Sequence, residues 1–390
     1  MQKRVLLGAA FLMATSAIGP GFLTQTAVFT AQLGASLGFA ILISIILDIG
    51  AQLNIWRIIT VSGMRAQDIG NAVLPGLGTG VSVLVVIGGL AFNIGNIAGC
   101  GLGLNALFGI EPRLGAVISA AIAILLFLLR DAGKAMDRFA QGMGAIMILL
   151  TLYVAFSARP PIGEAAYRSV LPAEIDILVI VTLVGGTVGG YITFAGGHRL
   201  IDAGLTGVAA LPAVSRSAVT GIAVTGMMRV LLFLAALGIV AQGLQLDAAN
   251  PPASVFRHAA GELGYRFFGA VMWSAAITSV VGASYTSVSF MRTLHPRLDA
   301  AQRTLILAFI LIAAAMFIAV GRPVKTLIVV GALNGMILPV ALGSILLASR
   351  KKAIVGAYRH PGWLLWFGVL VVVVMTLLSG YTITTALRSL

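Results

Sequence analysis

The residues of this sequence able to do chemistry inside an otherwise apolar chain are few and fall in three places. Ile18-Gly19-Pro20-Gly21-Phe22 interrupts one long apolar run and is followed by Thr24, Gln25 and Thr26. Gly185-Gly186-Thr187-Val188-Gly189-Gly190-Tyr191 interrupts another and is followed by Thr193. Glycine and proline in mid-run unwind a helix, and unwound backbone at membrane depth survives only where it is enclosed by protein or lines a cavity, so paired breaks point to a ligand site. The side chains beside them are uncharged donors and acceptors. The half-helix N-terminus beyond a break adds free N–H groups and partial positive charge, which suit a carboxylate. Gln25 adds two-point pairing with an amide or lactam. The alternative for each threonine and for Gln25 is that it satisfies broken backbone; for the glycines, that they let helices pack closely.

The third place is a pair of ionisable residues deep in apolar runs, Asp48 and Arg229. An unpaired charge at that depth costs on the order of 2.5–3.5 kcal/mol on insertion scales, so both are expected to face the interior and each other. Such a pair is either structural, or Asp48 titrates during coupling, or Arg229 draws in an anion. His198, at the end of the second interrupted run, reads as a satisfied interfacial histidine rather than a proton relay.

The elements that must position these residues are membrane helices. Of 390 residues 59% are hydrophobic and 9% charged, with 47 glycines and a mean hydropathy of +1.05, which excludes a soluble chain. Runs of the length a spanning helix needs, about 20 residues, occur near 5–31, 36–60, 81–107, 114–130, 139–158, 175–208, 217–241, 264–291, 302–320, 323–348 and 363–386. Runs of helix length rather than strand length exclude a barrel. The eleven runs form a single domain, 1–390. The interruptions in runs one and six predict two inverted five-helix repeats, about 5–158 and 175–348, and an extra helix at about 363–386. The net charge of +13 reports topology rather than nucleic acid. With the N-terminus inside, sixteen basic residues fall in cytoplasmic loops and eight on the opposite side, leaving Arg229 within its span, and that is the positive-inside bias. The first run is read as a retained helix, not a cleaved signal peptide. Cys100 is the one cysteine, so no disulfide or cysteine metal site is available. With no nucleophile and base pair and no phosphate loop, the chain is read as not an enzyme and without a cofactor.

The stretches LLGAAFLMATSAIGPGF, NIGNIAGCGLGLNALFGI and GGTVGGYITFAGGHRL resemble the first, third and sixth helices of the Nramp divalent-metal transporters. The resemblance extends over most of the chain and implies an all-α, LeuT-like architecture with helices one and six broken. It also marks a departure. Where the family carries Asp-Pro-Gly-Asn and Met-Pro-His, this sequence reads Gly19-Pro20-Gly21-Phe22 and Gly189-Gly190-Tyr191, so the side chains that would ligate a dehydrated cation are gone. By the same resemblance, an Asp and a Glu of the third helix correspond here to Asn93 and Asn96, which do not titrate.

The leading expectation is therefore a secondary active transporter of a small organic solute, a carboxylate or lactam, coupled to Na+ or H+. The site residues are Gly19, Pro20, Gly21, Phe22, Thr24, Gln25, Thr26, Asn93, Asn96, Thr187, Gly189, Gly190 and Tyr191, with Asp48 and Arg229 as a coupling or structural charge pair. The resemblance is to the branch linked to lactam utilisation and 5-oxoprolinase, which makes 5-oxoproline the specific guess. The alternatives are a transporter of Mn2+ or Mg2+ with altered selectivity and a non-transporting sensor. The expected setting is a bacterial inner membrane with the N-terminus cytoplasmic. The partners are a small molecule and the bilayer, with no nucleic acid, and the oligomeric state is left open.

Overall fold

Helix ends along the chain follow local chemistry. Pro20, Pro112 and Pro323 each open a helix, where a missing N–H costs nothing. Glu111 and Asp176 cap their helices by accepting from the backbone N–H of Leu114 at 3.0 Å and of Val179 at 3.1 Å. Gly63 ends another helix at φ 64°, a left-handed conformation that glycine adopts without steric cost.

The computed structural model of the chain describes Leu6, Met13, Ala14 and residues 17–129, 132–292 and 295–388. Most of the beginning of the first expected run, and the side chains of Arg130, Lys134 and Arg138 counted in the charge bias, lie outside the described residues. Among the described residues every regular element is a helix, and the α-helices run in the order α1 Pro20–Leu33, α2 Leu37–Ser62, α3 Ala66–Val73, α4 Leu77–Phe108, α5 Pro112–Leu128, α6 Ala132–Ser157, α7 Ile162–Val170, α8 Ile177–Val188, α9 Ile192–Asp202, α10 Leu211–Ala241, α11 Pro251–Arg292, α12 Pro296–Ala300, α13 Gln302–Val320, α14 Pro323–Ala348, α15 Lys352–Val355 and α16 Gly362–Arg388.

Among the described residues, eight helical stretches are long and apolar enough to cross a membrane, or nine if the pair bent by 105° at 157–162 is one crossing. The expected eleven is not reached, for reasons of geometry. The stretch Pro20–Ser62 is 43 residues, about 65 Å at 1.5 Å per residue and twice the hydrocarbon thickness, and it turns at Gly34–Ser36. Pro112–Leu128 is apolar but only 17 residues long.

The inner elements are α4, α8, α10 and α14. The helix α4 packs along α11 and α14, α14 also along α8, and α10 along α2. Outer helices show apolar side chains to the surroundings, such as Leu311, Ile312 and Met316 on α13 and Trp363, Trp366 and Leu370 on α16. In water such faces would drive aggregation; against lipid tails they are at no disadvantage. The two broken stretches lie inside this frame, with α1 packed on α4, α10, α11 and α14.

Candidate functional site

The first break spans Ile18 and Gly19. Gly19 is extended at φ −108° and ψ −173°, and α1 starts at Pro20. The proline ring seats against Gly99 of α4, where an added methyl would lie 2.1 Å from its carbons. Gly19 and Gly21 themselves are not forced by packing. A methyl at Gly19 would meet nothing nearer than Asn96 Oδ1 at 3.8 Å and Ser279 Oγ at 3.9 Å, and one at Gly21 nothing nearer than Gln25 Nε2 at 3.5 Å.

The second break is different. The helix α8 ends at Val188, Gly189 is extended, Gly190 has φ 54°, and α9 starts at Ile192. Here glycine permits contact rather than opening space. A methyl would meet the carbonyl of Gly331 at 2.0 Å from Gly185, the carbonyl of Asn334 at 2.7 Å from Gly189, and Asn334 Oδ1 at 1.9 Å from Gly190. The space beside Gly189 and Gly190, where the family carries larger side chains, is filled by α14, which approaches backbone to backbone.

All the polar candidates are buried, but they divide by what their atoms already do. Thr26 donates to the carbonyl of Phe22 at 2.8 Å and Thr187 to that of Leu183 at 2.9 Å, so both repair their own helices. Thr193 donates to Gln52 Oε1 at 3.2 Å. By contrast Thr24 Oγ1, Gln25 Oε1, Asn93 Oδ1 and Asn96 Nδ2 are buried without a hydrogen-bond partner. Gln25 Nε2 donates to the carbonyl of Leu327 at 2.9 Å. Its amide head lies in a slot cut by glycine, since a methyl would stand 2.7 Å from Oε1 at Gly186 and 2.3 Å from Nε2 at Gly331. Asn93 Nδ2 donates to Ser284 Oγ at 2.9 Å. The Tyr191 hydroxyl meets Asn96, and its ring stands edge-on to Phe92 at 5.6 Å. The result is a set of uncharged groups from α1, α4, α11 and the second break, several with bonding capacity to spare. Buried polar atoms are rarely left unbonded, so such a concentration marks a place for a ligand or ordered water.

Asp48 and Arg229 are both buried and line one crevice with Ile45, Thr187, Ile222, Thr225 and Gly226. Asp48 meets Thr187, and its Oδ1 has no hydrogen-bond partner. Arg229 donates Nη1 to the carbonyl of Leu183 at 3.2 Å, and its guanidinium carbon lies 4.2 Å from the ring centroid of Phe22. The two charges face each other across the crevice without closing to the 4.0 Å of an ion pair. His198 accepts from the backbone N–H of Ala66 at 3.2 Å and lies between Phe194 and Phe290 at ring separations of 6.0 Å and 5.1 Å. Beside it Arg65 and Asp202 form an exposed ion pair at 2.8 Å.

Among the described residues no group of three or more His, Cys, Asp and Glu is gathered; the side chains at the breaks are amides and hydroxyls, with the Asp48 carboxylate beside Thr187. Asn334 and Ser279 were not singled out from the sequence. Asn334 is the more instructive: its Nδ2 donates to the carbonyls of Gly88 at 3.1 Å and Val330 at 2.9 Å, leaving Oδ1 unpartnered at Gly190. Its one signal was a lone amide within an apolar run.

Comparison with known proteins places these features. The family model described as natural resistance-associated macrophage protein-like, Nramp, matches residues 10–385. The chain is 60% identical to the uncharacterized membrane protein YcsG of Bacillus subtilis (strain 168), over 99% of this chain and 96% of that one. It is 25% identical to the divalent metal cation transporter MntH of Xanthomonas campestris pv. campestris, over 47% of this chain and 43% of that one. Among solved structures, the manganese transporter of Eremococcus coleocola superposes with a TM-score of 0.76 at 15% identity, covering 98% of this chain and 86% of the other. MhsT in complex with L-phenylalanine superposes with a TM-score of 0.62 at 15% identity, covering 96% and 98%.

Proposed function

The chain belongs to the Nramp family of membrane transporters, and from that premise we propose that it is a secondary active transporter whose cargo is a small organic solute. The cargo is a carboxylate or lactam of the size of 5-oxoproline, moved with Na+ or H+ across a bacterial inner membrane in which the N-terminus is cytoplasmic. The multi-pass membrane character and the transporter class come with the family; the cargo is read from the site.

One observation carries that reading: the buried groups with unmade hydrogen bonds at the two breaks include Thr24, Gln25, Asn93, Asn96 and Asn334, all uncharged, while the carboxylate of Asp48 beside Thr187 faces the guanidinium of Arg229. A divalent cation that has shed water needs hard oxygen donors, usually including carboxylates. A ring amide or carboxylate needs a balanced set of donors and acceptors. Gln25 Oε1, Asn93 Oδ1 and Thr24 Oγ1 accept, while Asn96 Nδ2 and the first-turn N–H groups of α1 donate.

A divalent metal as cargo is the second reading. It is favoured by the Xanthomonas relative and the Eremococcus structural neighbour, which are a divalent metal cation transporter and a manganese transporter. A cation that keeps several of its waters, as Mg2+ does, asks less of the protein's own oxygens.

Reconstitution into liposomes separates the two. Uptake of labelled 5-oxoproline or another small organic acid down an imposed Na+ or H+ gradient, with no Mn2+ uptake in the same vesicles, is the expected result. Mn2+ or Mg2+ uptake without organic acid uptake would overturn the organic reading in favour of the second.

A further inference from the structure

Arg229 is 2% exposed, and of its five N–H donors one is committed, Nη1 to the carbonyl of Leu183 at 3.2 Å. The atoms left without an acceptor are Nε and Nη2. These two share one edge of the guanidinium, the edge whose parallel N–H bonds grip a carboxylate in bidentate fashion. The remaining contacts hold that edge in place. The Phe22 ring packs at 4.2 Å from the guanidinium carbon, and Leu183 anchors Nη1. Phe22 is in the first turn of α1, just past the first break, and Leu183 belongs to α8, which leads into the second. A single side chain from α10 thus touches the half-helices of both breaks. Asp48, across the same crevice, has an unpartnered oxygen and does not reach ion-pair distance. A buried guanidinium edge whose two donors are unspent on protein acceptors calls for a polar or anionic partner, because a buried donor left unbonded carries its full desolvation cost.

Resting on the organic-solute reading of the site, we propose that Arg229 is the specificity-determining residue that takes the substrate's carboxylate on its Nε–Nη2 edge, with Asp48 as the counter-charge facing it in the unloaded protein. Substrate binding then completes a bond set built from both breaks, so loading and the relative position of the two half-helices are linked through one side chain.

The test is ligand-dependent thermal stability of the full-length protein in detergent, using matched acid and carboxamide pairs: 5-oxoproline with 5-oxoprolinamide, L-proline with L-prolinamide, and acetate with acetamide. For the wild type, at least one acid is expected to stabilise the protein with an affinity about tenfold or more above its amide, the size of effect one charge-assisted contact supplies. In Arg229→Lys, which keeps the charge but loses the planar fork, the acid-to-amide ratio is expected to fall several-fold below the wild-type value. A wild type that binds an acid and its amide equally overturns the proposal, as does Arg229→Lys with an unchanged ratio. A ratio lost in Asp48→Asn and kept in Arg229→Lys overturns it too, by assigning recognition to the carboxylate. The wild-type pair comparison stands even if Arg229→Lys does not fold. If no organic probe stabilises the wild type while Mn2+ does, the organic reading itself fails and this inference with it; organic binding without acid preference removes this inference alone.

Discussion

The side-chain amide of Gln25 donates to the backbone carbonyl of Leu327 at 2.9 Å, across 302 positions of sequence. That bond ties α1, just beyond the first break, to the first turns of α14, whose glycines also pack on the second break. A residue with an acceptor free for a ligand is thus also a strut between α1 and α14.

Gln25→Leu keeps the approximate volume and removes both roles. The Leu327 carbonyl loses its donor, a cost of about 1–3 kcal/mol for a buried group left unpaired. Proteoliposome uptake is expected to fall by more than the shift in melting temperature accounts for. Uptake that tracks stability alone would make Gln25 a strut and nothing more.

The two breaks respond oppositely to alanine. At Gly190 the added carbon meets Asn334 Oδ1 at 1.9 Å and the backbone sits at φ 54°, so Gly190→Ala is expected to cost at least about 2 kcal/mol from left-handed strain and overpacking together. At Gly19 the nearest atoms are at ordinary contact distance, and Gly19→Ala is expected to stay within about 1 kcal/mol of wild type while lowering affinity for the cargo. Comparing the two variants by thermal unfolding checks the first half of this statement, and ligand titration of Gly19→Ala the second.

Trp56 Nε1 donates to the carbonyl of Thr193 at 2.8 Å, satisfying backbone at the start of α9, and its ring leaves so little room that a methyl at Gly196 would lie 2.1 Å from it. Trp56→Phe removes the donor and leaves a gap, for an expected loss of about 2–4 kcal/mol. Hydrogen exchange of the α9 backbone N–H groups is expected to rise along with it; unchanged protection there would show that Trp56 is packing alone.

In the segment that precedes α16, Tyr358 accepts at its hydroxyl from Arg57 Nε at 3.2 Å and Nη2 at 3.0 Å. His360 bridges Tyr358, 3.2 Å from Nδ1, and Asn54 Oδ1, 2.8 Å from Nε2. Asn54 spends its own Nδ2 on the carbonyls of Gly50 and Leu364, so His360 donates from Nε2 and accepts at Nδ1, a pattern only the neutral ring makes. Burial, and then the Arg57 guanidinium, push His360 down to about 4. The unfolded chain binds that proton near pH 6.5 and the folded chain does not until about 4. Stability from this group is therefore complete above about pH 6.5 and is lost as pH falls toward 4. Melting temperatures between pH 7.5 and 4.5 are expected to fall more steeply for wild type than for His360→Gln; parallel slopes would be inconsistent with a neutral His360 in the fold.

Much of the frame was legible because a membrane restricts the menu. Long apolar runs can only be helices, the glycine and proline interruptions at Gly19-Pro20-Gly21 and Gly185 to Gly190 can only be tolerated inside the bundle, and the burial of Asp48 and Arg229 follows from the cost of a charge in lipid. The uncharged character of the groups at both breaks is likewise a property of residue types, independent of how they are arranged.

What only the tertiary structure decided is which atoms remain free. Thr26 and Thr187 have the same chemistry as Thr24, yet they spend it on the carbonyl four residues back, and no local pattern separates them. Gly19 and Gly190 look alike in sequence, but a methyl at the first would meet its neighbours at ordinary contact distance and at the second would collide with the amide of Asn334, a residue 144 positions away that only packing of α14 brings there. Whether Asp48 and Arg229 touch depended on angstrom-scale placement of α2 against α10, and the structure leaves them facing across a crevice, with one edge of the arginine unspent. Residue type sets what a group can bond; the distances imposed by neighbouring helices set what it has left to bond with.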